Sequence, residues 1–209
     1  MTTQLPDDLQ LDNDFWQFSL SLWQNKKTQE VLLRLQDAQH LRVNLLLFSM
    51  WLGIERKSIT QYLLTSLETT EIWHQKVVSP LREVRKALPL QSPAPMLKPQ
   101  VQNSELLAEQ IEQSLLYKCA VNIPVTKTKT ATHNLPNSLP NNTLSMLIRN
   151  LLACARHPQT IQQLKATDSH QQKKFTLSTS DLLLLVQTCL PIHPAAHIFA
   201  CIESLTTQQ

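Results

Sequence analysis

Residues 43–53 read VNLLLFSMWLG, a nearly unbroken apolar stretch with an asparagine at its second place and the chain's only glycine, Gly53, at its end. A bilayer span needs about 20 apolar residues. This run is about half that length, and Glu55, Arg56 and Lys57 follow at once. The stretch is therefore no membrane segment. A helix apolar on every side is expected where other helices surround it, so residues 43–52 are read as the buried centre of an all-α fold. Gly53 is expected to close that helix, because a C-terminal cap commonly needs positive φ. The amide of Asn44, if buried without a partner, would cost about 1 to 3 kcal/mol. It should therefore bond a neighbouring helix end, for which the start of the first helix is the natural site, or else line a ligand pocket.

The remaining chain supplies neighbours for this helix. Asn13 can cap a first helix, with Asp14 in its first turn and Phe15, Trp16, Phe18, Leu22 and Trp23 at helical spacing. Thr28 is the expected cap of a second helix running to about Gln39, and Ser58 that of a short fourth. A fifth runs from Glu71 to Leu88, with Pro80 kinking it or, with Ser79 as cap, starting a new one. Four prolines between Pro89 and Pro99 mark a stiff connector, after which Ser104 caps a helix from Glu105 to Lys118. Residues 122–142, rich in Thr, Asn and Pro, read as a loop or linker. Beyond them lie an amphipathic helix from Leu144, a polar patch around ATDSHQQKK, a helix capped by Ser180, and a last one started by Pro194. No window alternates as a strand does. The expected architecture is a compact bundle of about six helices around a buried central one, with an appended C-terminal helical segment. The corresponding domains are 1–120, a linker at 121–142, and 143–209.

Composition narrows function mainly by exclusion. Among 209 residues a single glycine against twelve prolines removes phosphate-cradling glycine loops. The formal charge of +3 is too small to imply nucleic acid, and up to Leu88 ten basic residues balance ten acidic ones. The polar, acidic start MTTQLPDDLQLDND does not look like a signal peptide, so the expected compartment is the cytoplasm, and Cys119, Cys154, Cys189 and Cys201, with no CxxC pair, read as free thiols.

Several pieces together resemble a known family. Asn13-Asp14-Phe15-Trp16 with Phe18 and Ser19, Leu35-Gln36-Asp37, Val43-Asn44-Leu45-Leu46-Leu47-Phe48 with Trp51-Leu52, and then Trp73, Val77-Val78, Pro80-Leu81-Arg82, Arg85 and the Glu105-Leu106 to Glu109-Gln110 helix are similar, in order, to an uncharacterised bacterial all-helical family, a domain of unknown function. The resemblance covers about residues 5 to 118. It implies the helical fold and the compartment and assigns no activity. One departure stands out: His40 takes the place of a glycine usual in the turn before the central helix.

The candidate sites each compete with a plainer reading. Arg82, Arg85 and Lys86 share one helical face and could grip phosphate, carboxylate or an acidic partner, although three basic residues on a helix are usually a solvated face. Trp16, Trp51 and Trp73, with Phe15, Phe18 and Trp23, could form an aromatic cleft, although helical spacing alone places them in a core. Cys189, His193, His197 and Cys201 recur every four residues, but prolines interrupt them and only His197 and Cys201 are true i,i+4 neighbours, so no metal site is expected. Asp7, Asp8 and Asp12 lack the second acidic set a magnesium diphosphate site needs. Cys119 has no evident base, and no motif implies a catalytic residue or a cofactor. The leading expectation is a non-enzymatic protein that binds a protein partner through the Arg82/Arg85 helix and part of the aromatic face. The alternative is an enzyme or binding protein holding an amphipathic, phosphate-bearing ligand in a helical cavity at Arg82 and Arg85, with Asn44 on its wall.

Overall fold

The computed structural model describes residues 5–39, 41–60, 63, 66–89, 95–126, 143–155 and 177–207. His40, the ATDSHQQKK patch, residues 90–94 of the proline connector and residues 127–142 of the Thr/Asn-rich loop lie outside them, as do residues 61, 62, 64 and 65 of the expected Ser58 helix, whose first residues, Ser58 to Thr60, are not helical. The described residues are all-α. In chain order the elements are α1 (Asp14–Trp23), α2 (Lys26–Gln39), α3 (Val43–Ile54), α4 (Glu68–Trp73), a π-helical turn (His74–Val78), α5 (Ser79–Ala87), α6 (Leu97–Ala120), α7 (Thr143–Ala155), α8 (Thr179–Cys189) and α9 (Ala195–Thr207). No described helix is long and apolar enough to cross a membrane.

The chain folds into two compact units, each made of two stretches of sequence. One comprises Met1–Gln17 and Gln61–Asn122, the other Phe18–Thr60 and Ile123–Gln209. In the second, every residue of α3 from Val43 to Gly53 is buried, and α7 lies along it, with α2 and α8 also against α3. Leu144, Leu147, Ile148 and Leu151 of α7 are completely buried, as are Leu185 and Val186 of α8 and Ile198 of α9. The C-terminal helices therefore complete the packing around the central helix. Polar pairs fix α8 on α2: the Thr28 and Thr188 hydroxyls lie 2.8 Å apart, and Arg34 pairs with Asp181.

Asn13 caps α1 as its position suggests, accepting the Trp16 N–H at 2.9 Å. Other starts differ from expectation by a few residues, each for a local reason. Asn25, not Thr28, caps α2, since its Oδ1 accepts from the N–H groups of Lys27 and Thr28. Ser178, not Ser180, caps α8 by accepting the Asp181 N–H at 3.1 Å. α6 begins at Leu97, so Pro99 lies in its first turn, where a proline is tolerated because no helical partner awaits its N–H. Ser104 is interior to α6 and donates its hydroxyl to the Gln100 carbonyl. Ser79 is helical rather than a cap, and its N–H reaches back five residues to His74 O, so the chain passes Pro80 by widening one turn instead of stopping.

Gly53 also plays a different part. It has no positive φ and is not the last residue of α3. A Cβ built on it would lie 2.5 Å from the Leu147 Cα, so the glycine is there to let the α7 backbone touch α3. The left-handed residue is Arg56, at φ 57°. Around it the Lys57 N–H bonds Leu52 O at 2.8 Å and the Arg56 N–H bonds Gly53 O at 3.2 Å, the double bond pattern of a left-handed helix end. A left-handed non-glycine residue costs about 1 to 2 kcal/mol. Glycine adds roughly 0.5 to 1 kcal/mol of unfolded-state freedom, so Arg56→Gly is expected to raise stability by about 0.5 kcal/mol or more, read as a higher urea midpoint.

The segment that leaves α3 is pinned by Asn150 on α7. Its Nδ2 donates to Lys57 O at 2.8 Å and its Oδ1 accepts the Ile59 N–H at 3.0 Å, and the residue is 2% exposed. Truncation would leave a backbone donor and acceptor without those bonds. Asn150→Ala is expected to cost about 2 kcal/mol in urea denaturation, with hydrogen exchange at Ile59 rising selectively. Unchanged protection at Ile59 would show that the amide does not hold the segment.

Candidate functional site

The first unit contains a seam of paired charges between α5 and α6. On α6, Glu105, Glu109 and Glu112 fall at i, i+4 and i+7, so one face of the helix carries all three. Facing them are Arg82 and Arg85 on α5 and His74 in the π-helical turn. Arg82 donates from Nε to Glu105 Oε1 at 3.0 Å and from Nη2 to Glu109. Arg85 donates to both oxygens of Glu105, the Nη2 bond to Oε1 measuring 3.2 Å. His74 Nδ1 shares a hydrogen bond of 3.0 Å with Glu112 Oε1, and both side chains are almost fully buried. Trp73, one residue earlier, donates its indole N–H to the Ala108 carbonyl at 2.9 Å.

Burial and these bonds shift Glu105 and Glu109 in opposite directions. Burial pushes Glu105 up, but the hydrogen bonds and charges of Arg85 and Arg82 outweigh it and hold the group below the usual glutamate range. Glu109 ends on the other side. Burial raises it, the neighbouring Glu105 and Glu112 add to that, and Arg82 only partly compensates. Acid therefore acts on the two in opposite senses. The stability contributed by Glu105 is present above the ordinary glutamate value and lost as pH falls through its lowered one, whereas protonating Glu109 earlier in the same descent relieves a cost.

The sequence singled out the cations and missed their partners. Arg82 and Arg85 are already joined by carboxylates from residues 20 to 27 positions away in sequence, and the Arg82 side chain is only 13% exposed while that of Arg85 keeps 30%. Lys86 beside them is exposed. Trp16 and Trp73, both in this unit, are half-buried. In the other unit Asn44 and Trp51 are buried in α3; Trp51 stacks near Phe48, with ring centroids 6.1 Å apart, and the Lys57 ammonium lies 5.5 Å over its ring. Phe15 is fully buried, whereas Trp23 reaches solvent.

The other candidates find local explanations. Asp8 pairs with Lys118, whose hydrogen bond lowers its pKa, and Asp12 accepts from the Gln17 amide at 2.5 Å. Asp8 and Lys118 border an open cleft of about 400 Å³ with Gln10, Ser114 and Tyr117, and the Ser114 hydroxyl there is spent on the Gln10 carbonyl at 2.7 Å. At the C-terminus the His193 and His197 rings lie 5.8 Å apart, His197 is exposed and Cys201 is fully buried. No group of three or more His, Cys, Asp or Glu able to hold a metal occurs among the described residues. Burial pushes the thiols of Cys154 and Cys189 up to about 11 and about 12, and raises Cys119 and Cys201 as well, so all four stay protonated at neutral pH.

Residues 14–116 match a family of unknown function, described as "Protein of unknown function (DUF2390)". That match runs from the first residue of α1 into the last turns of α6, so it includes α3 and both sides of the charged seam. No curated protein and no solved structure matches the chain.

Proposed function

We propose that the protein is a non-enzymatic interaction protein of the cytoplasm, an adaptor that meets a protein partner through the α5–α6 pair. The observation that carries this reading is the outer side of α6. Leu106 and Leu107 are 52% and 50% exposed in the middle of a helix whose other side is buried, and Val84 on α5 is 49% exposed. Exposed apolar side chains with charged neighbours are what a partner's own apolar residues would cover. Lys86 and the exposed part of Arg85 supply the rim and favour a partner with carboxylates near its own apolar residues. Trp16 and Trp73 keep part of their rings available in the same unit. A phosphate-bearing ligand, by contrast, would have to displace two carboxylates to reach Arg82.

The test separates the surface from the seam. Leu106→Ser/Leu107→Ser alters neither arginine nor glutamate, so circular dichroism and the urea midpoint should stay near wild type. Cross-linking mass spectrometry from native cytosol should then show partner cross-links at Lys86 and Lys98 in the wild type and their loss in the variant. A cross-link pattern unchanged by the substitutions would sink the reading.

A further inference from the structure

We propose that α5 is a hinged arm, held on α6 by charge and able to leave it while the helix before it stays in place. This goes beyond the contact surface just described and stands whether or not a partner binds there. The two sides of the hinge are built differently. Before it, Val78 is fully buried, His74 is joined to Glu112 and Trp73 to the Ala108 carbonyl, so the α4 side is anchored in the unit's interior. After it, no residue from Ser79 to Ala87 is buried. Among the side-chain bonds joining this stretch to α6 are those from Arg82 and Arg85 to Glu105 and Glu109, and the Lys98 ammonium ties Leu88 O at 2.9 Å just beyond. Every one of these has a full charge on at least one partner.

The joint itself is weak. The π-helical turn widens the backbone between His74 and Val78, and Pro80, two residues on, brings no N–H to bond across it. Apolar contacts are not weakened by salt, whereas attraction between charges that keep some access to solvent is screened, and Arg85 and Glu109 keep 30% and 27% of their side chains exposed. The attachment of α5 should therefore respond to ionic strength in the sense opposite to the rest of the fold. Release would uncover Glu105 and Glu109 and present Arg82 and Arg85 together as free guanidiniums. The docked arm thus keeps both arginines neutralised, and the undocked arm offers them.

Hydrogen–deuterium exchange on the full chain tests this. Between 0.1 M and 1 M NaCl, where the screening length falls from about 10 Å to about 3 Å, the amides of Arg82–Leu88 should exchange about fivefold faster while those of Glu112–Lys118 do not. Glu105→Gln/Glu109→Gln should give the same local acceleration at low salt. The proposal is overturned if Arg82–Leu88 protection is insensitive to salt in the wild type. It is equally overturned if Arg82–Leu88 and Glu112–Lys118 accelerate together, because α5 would then open only with the whole unit. The salt series uses unaltered protein, so a variant that fails to fold leaves the test intact.

Discussion

Gly53→Ala is expected to lower the stability of the second unit by about 2 kcal/mol or more, the net of a helix-propensity gain near 1 kcal/mol and a larger overpacking cost. The added methyl would sit 2.5 Å from Leu147 Cα, 2.7 Å from its Cβ and 3.0 Å from its backbone nitrogen. None of those atoms can rotate away. The clash is relieved only by pushing α7 off α3, and that loosens Leu144, Ile148 and Leu151 along the same helix. Urea denaturation of Gly53→Ala against wild type measures the effect. A second variant identifies its cause: Leu147→Ala keeps the Cα, Cβ and nitrogen that collide, so it should fail to rescue Gly53→Ala and should add its own cavity cost of about 2 to 5 kcal/mol. Rescue by Leu147→Ala, or a Gly53→Ala protein as stable as wild type, would show that the two backbones do not need this contact.

What the sequence made legible follows from range. The all-α class, the burial of residues 43–53 and the placement of most helices rest on periodicity and length, which are local properties, and they hold in the structure. Which hydroxyl or amide caps a helix is less local than it looks: Asn25 and Thr28, or Ser178 and Ser180, are all competent, and the choice depends on where the chain first turns. Gly53 shows a deeper ambiguity. A glycine at a helix end signals either positive φ or a close approach, and only Leu147, more than ninety residues on, decides for the second. The charged seam was half visible for the same reason. Arg82 and Arg85 declare themselves by spacing, and so do Glu105, Glu109 and Glu112, but that the two sets meet depends on how two helices pair across a proline connector.

His74→Leu should be the second severe substitution, and it tests whether the anchored side of the α5 hinge rests on one buried polar pair. Glu112 is 1% exposed, and its Oε1 lies 3.0 Å from His74 Nδ1. Leucine removes that hydrogen bond from a buried carboxyl. Breaking a buried pair by deleting one partner costs about 3 to 5 kcal/mol when both are charged and about 1 to 3 kcal/mol for a neutral donor. A loss near 3 kcal/mol in urea denaturation is therefore expected for the first unit. Adding Glu112→Leu removes the buried carboxyl that lost its imidazole, so the double variant should recover part of the loss, even though it has fewer native bonds than His74→Leu alone. The recovery is the discriminating outcome. If the double variant is less stable than His74→Leu by a further full increment, the two side chains act independently and the pair is not what anchors the turn. If the losses are small in both, the π-helical turn is held by Val78 and the Trp73 indole, and the hinge before α5 pivots on apolar contacts instead of on the seam.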